Sequence, residues 1–144
     1  MFEDPVQRSL WLGKGTPRAW WAPGESIVLT GAATRYGRVS YAAVVKAGSC
    51  SINVTVPSAW STAAAGASCT AQGTDEAWCA APRGGLMVRV RLPGGATISS
   101  ATIGRGAVAT AWGERADAET LLFSLKDLAQ PELLAKLQSI VVLY

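Results

Sequence analysis

Ten carboxylates and no imidazole limit what this chain of 144 residues can catalyse. Without histidine, neither a Ser-His-Asp nor a Cys-His relay can be assembled. The acids are Glu3, Asp4, Glu25, Asp75, Glu76, Glu114, Asp117, Glu119, Asp127 and Glu132. Most fall in expected turns or near the chain ends. None stands mid-strand facing another acid, where a carboxylate pair acting on a glycosidic bond must sit. There is no dinucleotide-binding glycine fingerprint and no phosphate loop. The three cysteines, Cys50, Cys69 and Cys79, have no CxxC spacing and no histidine to complete a zinc set. These residues argue against an autonomous enzyme and call for no cofactor or metal.

Binding chemistry has better material. Six tryptophans are many for this length: Trp11, Trp20, Trp21, Trp60, Trp78 and Trp112. Exposed indoles stack on sugar rings, whereas buried ones pack a core or a domain interface. Trp20-Trp21, between two turn signals, is the best candidate pair, with one indole in and one out. Trp60 and Trp78 flank a long irregular segment and are expected to clamp it. Arg18 and Arg35 stand beside Trp20 and Tyr36. Each could stack on its ring, pair with a carboxylate across an interface, or tie its loop to backbone carbonyls. Arg18, Trp20, Trp21, Arg35 and Tyr36 are thus the candidates for a carbohydrate or domain-interface site. Asn53-Val54-Thr55 fits the N-glycosylation pattern, with Asn53 at an outward strand position. Cys69 and Cys79 bracket a short polar loop. A disulfide there would contribute about 2.5–3 kcal/mol on the chain-entropy model; the alternative is three unrelated thiols.

The elements that must carry these residues are mostly strands. Leu86, Val88, Val90 and Leu92 alternate with Met87, Arg89 and Arg91, which gives one apolar and one charged face. Pro93-Gly94-Gly95 breaks the run, and Thr97–Ile103 reads as the return leg of a hairpin. A second hairpin is expected from Val39–Val45 (Val39, Tyr41, Ala43 and Val45 on one face) and Ser51–Val56 (Ile52, Val54 and Val56 inward). Ser26–Thr30 reads as a strand, and Gly31–Gly37 as a corner. Ala107–Trp112 and Thr120–Leu125 read as strands, separated by a polar turn at Gly113–Ala118. Pro131–Leu137 carries the one helical signal, a turn or two with Pro131 in the first turn. Ile140–Leu143 reads as a strand buried on both faces.

Ser58–Ala81 shows neither strand nor helix periodicity. It runs to about 24 residues, where most loops have about 4–6. It is expected to be an insertion between strands. Residues 1–9 read as a connecting arm, and 10–144 as one domain. Eight or nine short strands between Gly/Pro turns, with almost no helix, predict an all-β, antiparallel two-sheet sandwich.

The net charge is +3, and the basic residues are scattered rather than set in a run, so no nucleic-acid partner is expected. Only 16% of residues are charged, a deficit that fits a large interface with a neighbouring domain or subunit and equally fits the Ala/Gly-rich loops. No apolar run is long enough to span a membrane, and the first residues do not read as a signal peptide.

The order Leu10–Leu29, Ala33–Tyr41, Ser51–Pro57, Leu86–Gly106 and Glu119–Leu125 resembles the C-terminal β-sandwich of glycoside-hydrolase-like proteins built on six-hairpin helical barrels. The steps that carry it are Thr16-Pro17-Arg18, Thr34-Arg35-Tyr36-Gly37, and Arg91-Leu92-Pro93 followed by Ile98–Gly104. The resemblance implies a non-catalytic accessory domain that packs on and stabilises a catalytic domain whose acids lie on the barrel. It also implies an extracellular or secretory location for the larger protein. Two other readings stay open: a free-standing carbohydrate-binding module, which needs two or three coplanar exposed indoles, and a structural or adhesion-type sandwich.

Overall fold

A computed structural model describes residues 1–64, 81–104 and 114–144. Two five-stranded sheets face each other and share one apolar core, so the chain is an all-β sandwich. The first sheet contains β1 (Phe2–Asp4), β2 (Ser9–Leu12), β6 (Leu86–Arg89), β8 (Glu114–Asp117) and β9 (Thr120–Phe123), in the order β1-β2-β6-β9-β8. The second contains β3 (Ser26–Thr34), β4 (Gly37–Lys46), β5 (Ser49–Thr55), β7 (Ser100–Ile103) and β10 (Ile140–Leu143), in the order β3-β4-β5-β10-β7. Pairing is antiparallel throughout except between β2 and β6.

The alternation read from sequence decides which side chains fill the space between the sheets. Leu86, Val88, Val90 and Leu92 have no exposed surface, while Met87, Arg89 and Arg91 stay half-buried on the outside. Val39, Tyr41, Ala43 and Val45 face them from β4, and Ile52 and Val54 from β5. The β4–β5 hairpin forms as expected, with Ser40 opposite Thr55 and Lys46 opposite Ser49. Leu121 and Phe123 point inward from β9. Among the described residues three short α-helices interrupt the strands: α1 (Ala59–Ala64) after β5, and α2 (Leu125–Leu128) and α3 (Pro131–Lys136) between β9 and β10. The α2 start is fixed by a capping box in which Ser124 and Asp127 each serve the other's backbone N–H. Leu128, Leu133 and Leu137 seal the core from this segment.

Several expectations are overturned. The run after β6 is not a hairpin. Val90 N–H still bonds Glu119 C=O and Ile98 N–H bonds Ala118 C=O, both beside the first sheet, but Ser99 N–H bonds Leu143 C=O in the second. The chain therefore changes sheets between Ile98 and Ser99, and β7 pairs with β10 rather than β6. The tight turn at Pro93–Gly95, with Gly94 and Gly95 at positive φ, redirects the chain instead of folding it back.

Residues 1–9, expected as an arm, contribute β1, which pairs with β2. Gly31–Gly37 is not a corner: β3 runs on to Thr34 past a bulge between Leu29 and Ala32. The polar stretch at Gly113–Ala118 holds β8, since an edge strand tolerates charge. Thr120–Leu125 ends as a strand at Phe123, and Leu125 opens α2. Ile140–Leu143 is buried on one face only: Ile140 and Val142 are inside and Leu143 is exposed. The strand expected at Ala107–Trp112 falls outside the described residues, as do residues 65–80 of the expected insertion; its beginning, Ala59–Ala64, is helical.

Candidate functional site

The five candidate residues do not form one site. Arg18, Trp20 and Trp21 lie in a 3-10 turn, Arg18–Trp21, leading into β3. Arg35 and Tyr36 form the turn at the far end of the nine-residue β3.

In the first group the two indoles divide as expected. Trp21 is fully buried and donates through Nε1 to Thr16 Oγ1 at 2.9 Å, whereas Trp20 is 55% exposed. Arg18 stacks on no ring among the described residues. Its Nη1 donates to the Leu92 carbonyl at 2.6 Å and pairs with Glu119 at 2.5 Å. Glu119 is nearly buried and also receives Arg89 at 3.5 Å, so two guanidiniums converge on one carboxylate. This cluster ties the Arg18–Trp21 turn to the outer side of the first sheet. Glu119 lies 101 positions from Arg18, and nothing local in the sequence pairs them. The alternation of Arg89 and Arg91 was the one signal that charge would gather there.

In the second group Arg35 pairs with Glu3 at 2.7 Å, tying the β3–β4 turn to β1. Tyr36 is buried against Trp60, edge to face, with ring centroids 6.5 Å apart and planes at 85°. Trp60 Nε1–H donates to the Tyr36 carbonyl at 2.8 Å. Burial raises the Tyr36 phenol above its usual range, although Arg35 pulls the other way. Arg18 thus ties its turn to a backbone carbonyl and a carboxylate, and Arg35 ties its own to the Glu3 carboxylate.

Cys69, Cys79, Trp78 and Trp112 lie outside the described residues. Cys50 is a buried free thiol, and burial pushes its pKa up to about 12. Among the described residues, no group of three or more His, Cys, Asp or Glu could hold a metal ion. No helix among them is long and apolar enough to cross a membrane. Trp20 is the one strongly exposed indole among the described residues. Trp11 is half-buried, with the Lys14 ammonium 4.4 Å above its ring.

A different surface stands out: the outer face of the second sheet. Paired strands place Ser26, Val44, Ser51, Val141 and Thr102 in one row across all five strands. A neighbouring row holds Val28, Ala42 and Asn53, and another Lys46, Ser49, Leu143 and Ser100. Val28 is 70% exposed, Val44 45% and Leu143 46%. Charge on β4 is confined to its two ends, Arg38 and Lys46. The inward set is legible one strand at a time, whereas the outward sets form a face only once the strands are aligned. Asn53 is exposed within this face, at the position that the glycosylation pattern marks.

No family model, curated protein or solved structure matches this chain.

Proposed function

We propose that this chain is a non-catalytic accessory β-sandwich that docks through the outer face of the β3-β4-β5-β10-β7 sheet onto the catalytic domain of a carbohydrate-active protein. The observation that carries the reading is the uncharged interior of that face, with Val28, Val44 and Leu143 standing out of it. This face mixes Ser, Thr and Asn with those apolar side chains and keeps charge on β4 to the strand's ends. Small uncharged side chains with a few large apolar ones standing out of them suit the centre of a protein interface. The resemblance to accessory sandwiches of barrel-type glycoside hydrolases supplies the partner's class. Docking would hold the catalytic domain in place and stabilise it by mass action, because it binds only the folded form.

A glycan on Asn53 would stand in the middle of this face. Docking and glycosylation at Asn53 therefore exclude each other, and the docking reading takes Asn53 as unmodified. A free-standing carbohydrate-binding module gains less support, since Trp20 alone offers an open indole among the described residues.

The test begins with the reading frame adjoining this chain. It should encode a helical-barrel catalytic domain; a frame with none overturns the proposal. In the two-domain protein, a Val28→Lys, Val44→Lys, Leu143→Lys triple variant should separate the domains. Burying the exposed part of each side chain is worth about 1 kcal/mol. The triple variant should therefore weaken association by about 100-fold or more. The sandwich's own melting temperature should barely change, since these side chains are already in water. Undiminished association of the triple variant would refute the docking face.

A further inference from the structure

Among the described residues the two sheets end in four edge strands, and three of these are short. β1 has three residues, with Glu3 and Asp4 among them. β7 and β8 have four each, and Glu114, Arg115 and Asp117 fall on β8. The fourth edge is β3, which runs nine residues without a charge or a proline. Charge, proline or brevity normally guards an edge against other strands. The bulge between Leu29 and Ala32 leaves Ser26–Thr30 as its regular stretch. Among the described residues β4 is the only strand paired with it. Glu25 C=O accepts from Val45 N–H at 3.0 Å. Bonded positions recur at every second residue, so Ile27 and Leu29 turn their backbone groups towards β4. Ser26 and Val28 turn theirs to the open edge. The side chains show the same want of cover. Val28 is 70% exposed. Ile27 and Leu29 pack against the core yet stay half-buried, whereas Ala43 and Tyr41 opposite them are buried.

We infer that a second copy of this chain pairs with β3 along this edge, antiparallel and about a two-fold axis at Val28. In that register Val28 meets Val28 of the second copy, Ser26 meets Thr30, and Ile27 meets Leu29. The two Val28 residues exchange backbone N–H and C=O bonds. Ile27 and Leu29 of both copies close the inner side, and the two Val28 side chains cover each other on the outer side. A strand set against itself brings like charges together wherever it carries them, and Ser26–Thr30 carries none. The segment is complementary to itself, apolar on apolar and hydroxyl on hydroxyl. Closed two-fold pairing is also the commonest assembly of identical chains. The edge is distinct from the outer face of the sheet, so both can be occupied at once, and the inference does not rest on the docking proposal.

Sedimentation velocity of the chain from micromolar to millimolar concentration should show a reversible monomer–dimer equilibrium. Val28→Lys and Val28→Glu should each weaken the dimer at least about fivefold, because each removes an apolar contact and sets like charges directly opposite. Neither should disturb the monomer, since the Val28 side chain is mostly in water. An equal mixture of the two variants should pair more tightly than either alone, because the lysine of one then faces the glutamate of the other. A Val44→Lys, Leu143→Lys double variant alters the proposed docking face and leaves the edge intact, so it should dimerise like the parent. The inference is overturned by a monomer at every concentration, by Val28 variants that dimerise like the parent, by a mixture no tighter than its components, or by loss of the dimer in the double variant.

Discussion

Replacing Trp60 by phenylalanine tests the account of how the β3–β4 turn is anchored. Trp60 is fully buried, and its indole N–H serves the Tyr36 carbonyl at 2.8 Å. Phenylalanine keeps an aromatic ring against Tyr36 but has no donor, and no solvent reaches the site to replace it. A buried acceptor stripped of its donor costs about 1–3 kcal/mol. The missing half of the indole leaves a void, which adds about 1 kcal/mol at roughly 24 cal/mol per Å³. The expected loss is about 2–4 kcal/mol, a large part of the roughly 5–15 kcal/mol that holds a domain together. For a chain of this size that lowers the melting temperature by about 5–15 °C. Urea denaturation followed by circular dichroism measures it: the midpoint should fall while the slope stays the same. Trp60→Leu, which also removes the edge-to-face contact, should fall further. A loss below about 0.5 kcal/mol for Trp60→Phe would show that the Tyr36 carbonyl is served some other way, and the anchoring argument would fail.

Gly13 sits at φ +74°, and a Cβ there would lie 2.2 Å from the Arg89 carbonyl oxygen. Gly13→Ala should cost more than about 2 kcal/mol in the same denaturation assay. Gly15→Ala, which meets nothing within 4 Å, should be neutral within about 0.5 kcal/mol. Burial raises the Cys50 pKa from 9.0 to about 12. The thiol's contribution is therefore intact below pH 9 and lost as pH climbs towards 12, because the unfolded chain gives up its proton first. From this thiol stability should decline by up to about 1.4 kcal/mol per pH unit across that window, and Cys50→Ala should remove the part of the decline between pH 9 and 10; above pH 10 the buried Tyr41 phenol, raised in the same direction, adds its own. In native protein at pH 8, iodoacetamide should leave Cys50 unmodified until denaturant is added.

What the sequence revealed and what it hid follow from how far apart the interacting residues lie. The β4–β5 hairpin was legible because its apolar alternation and its glycine turn are both local. The same alternation showed that Val88 and Val90 face the core, but a period of two says which face is buried, not which strand lies alongside. Pro93-Gly94-Gly95 looks alike whether a chain folds back or crosses to the other sheet, so the partner of β7 is not legible there. The parallel pairing of β2 with β6 joins Leu10 to Leu86, and no local signal marks it. The charges of Glu114–Asp117 read as a turn, although the segment is a strand at a sheet edge. At the candidate sites, one indole in and one out was readable from Trp20-Trp21. The carboxylates that Arg18 and Arg35 reach were not, because Glu119 and Glu3 come from distant strands.

The parallel seam between β2 and β6 bears on the order of assembly. Strands β3, β4 and β5 are successive neighbours and can zip together while the rest of the chain is still being synthesised. The other sheet must close a loop of more than seventy residues to bring Leu10 beside Leu86, and it then waits for Phe123 to flank the new strand. Contacts of such high sequence separation are slow to form, because chain entropy is lost before they are made. These three strands thus act as a template on which the first sheet, β7 and β10 condense. Until that happens, the template's greasy inner side is a surface on which chaperones can act.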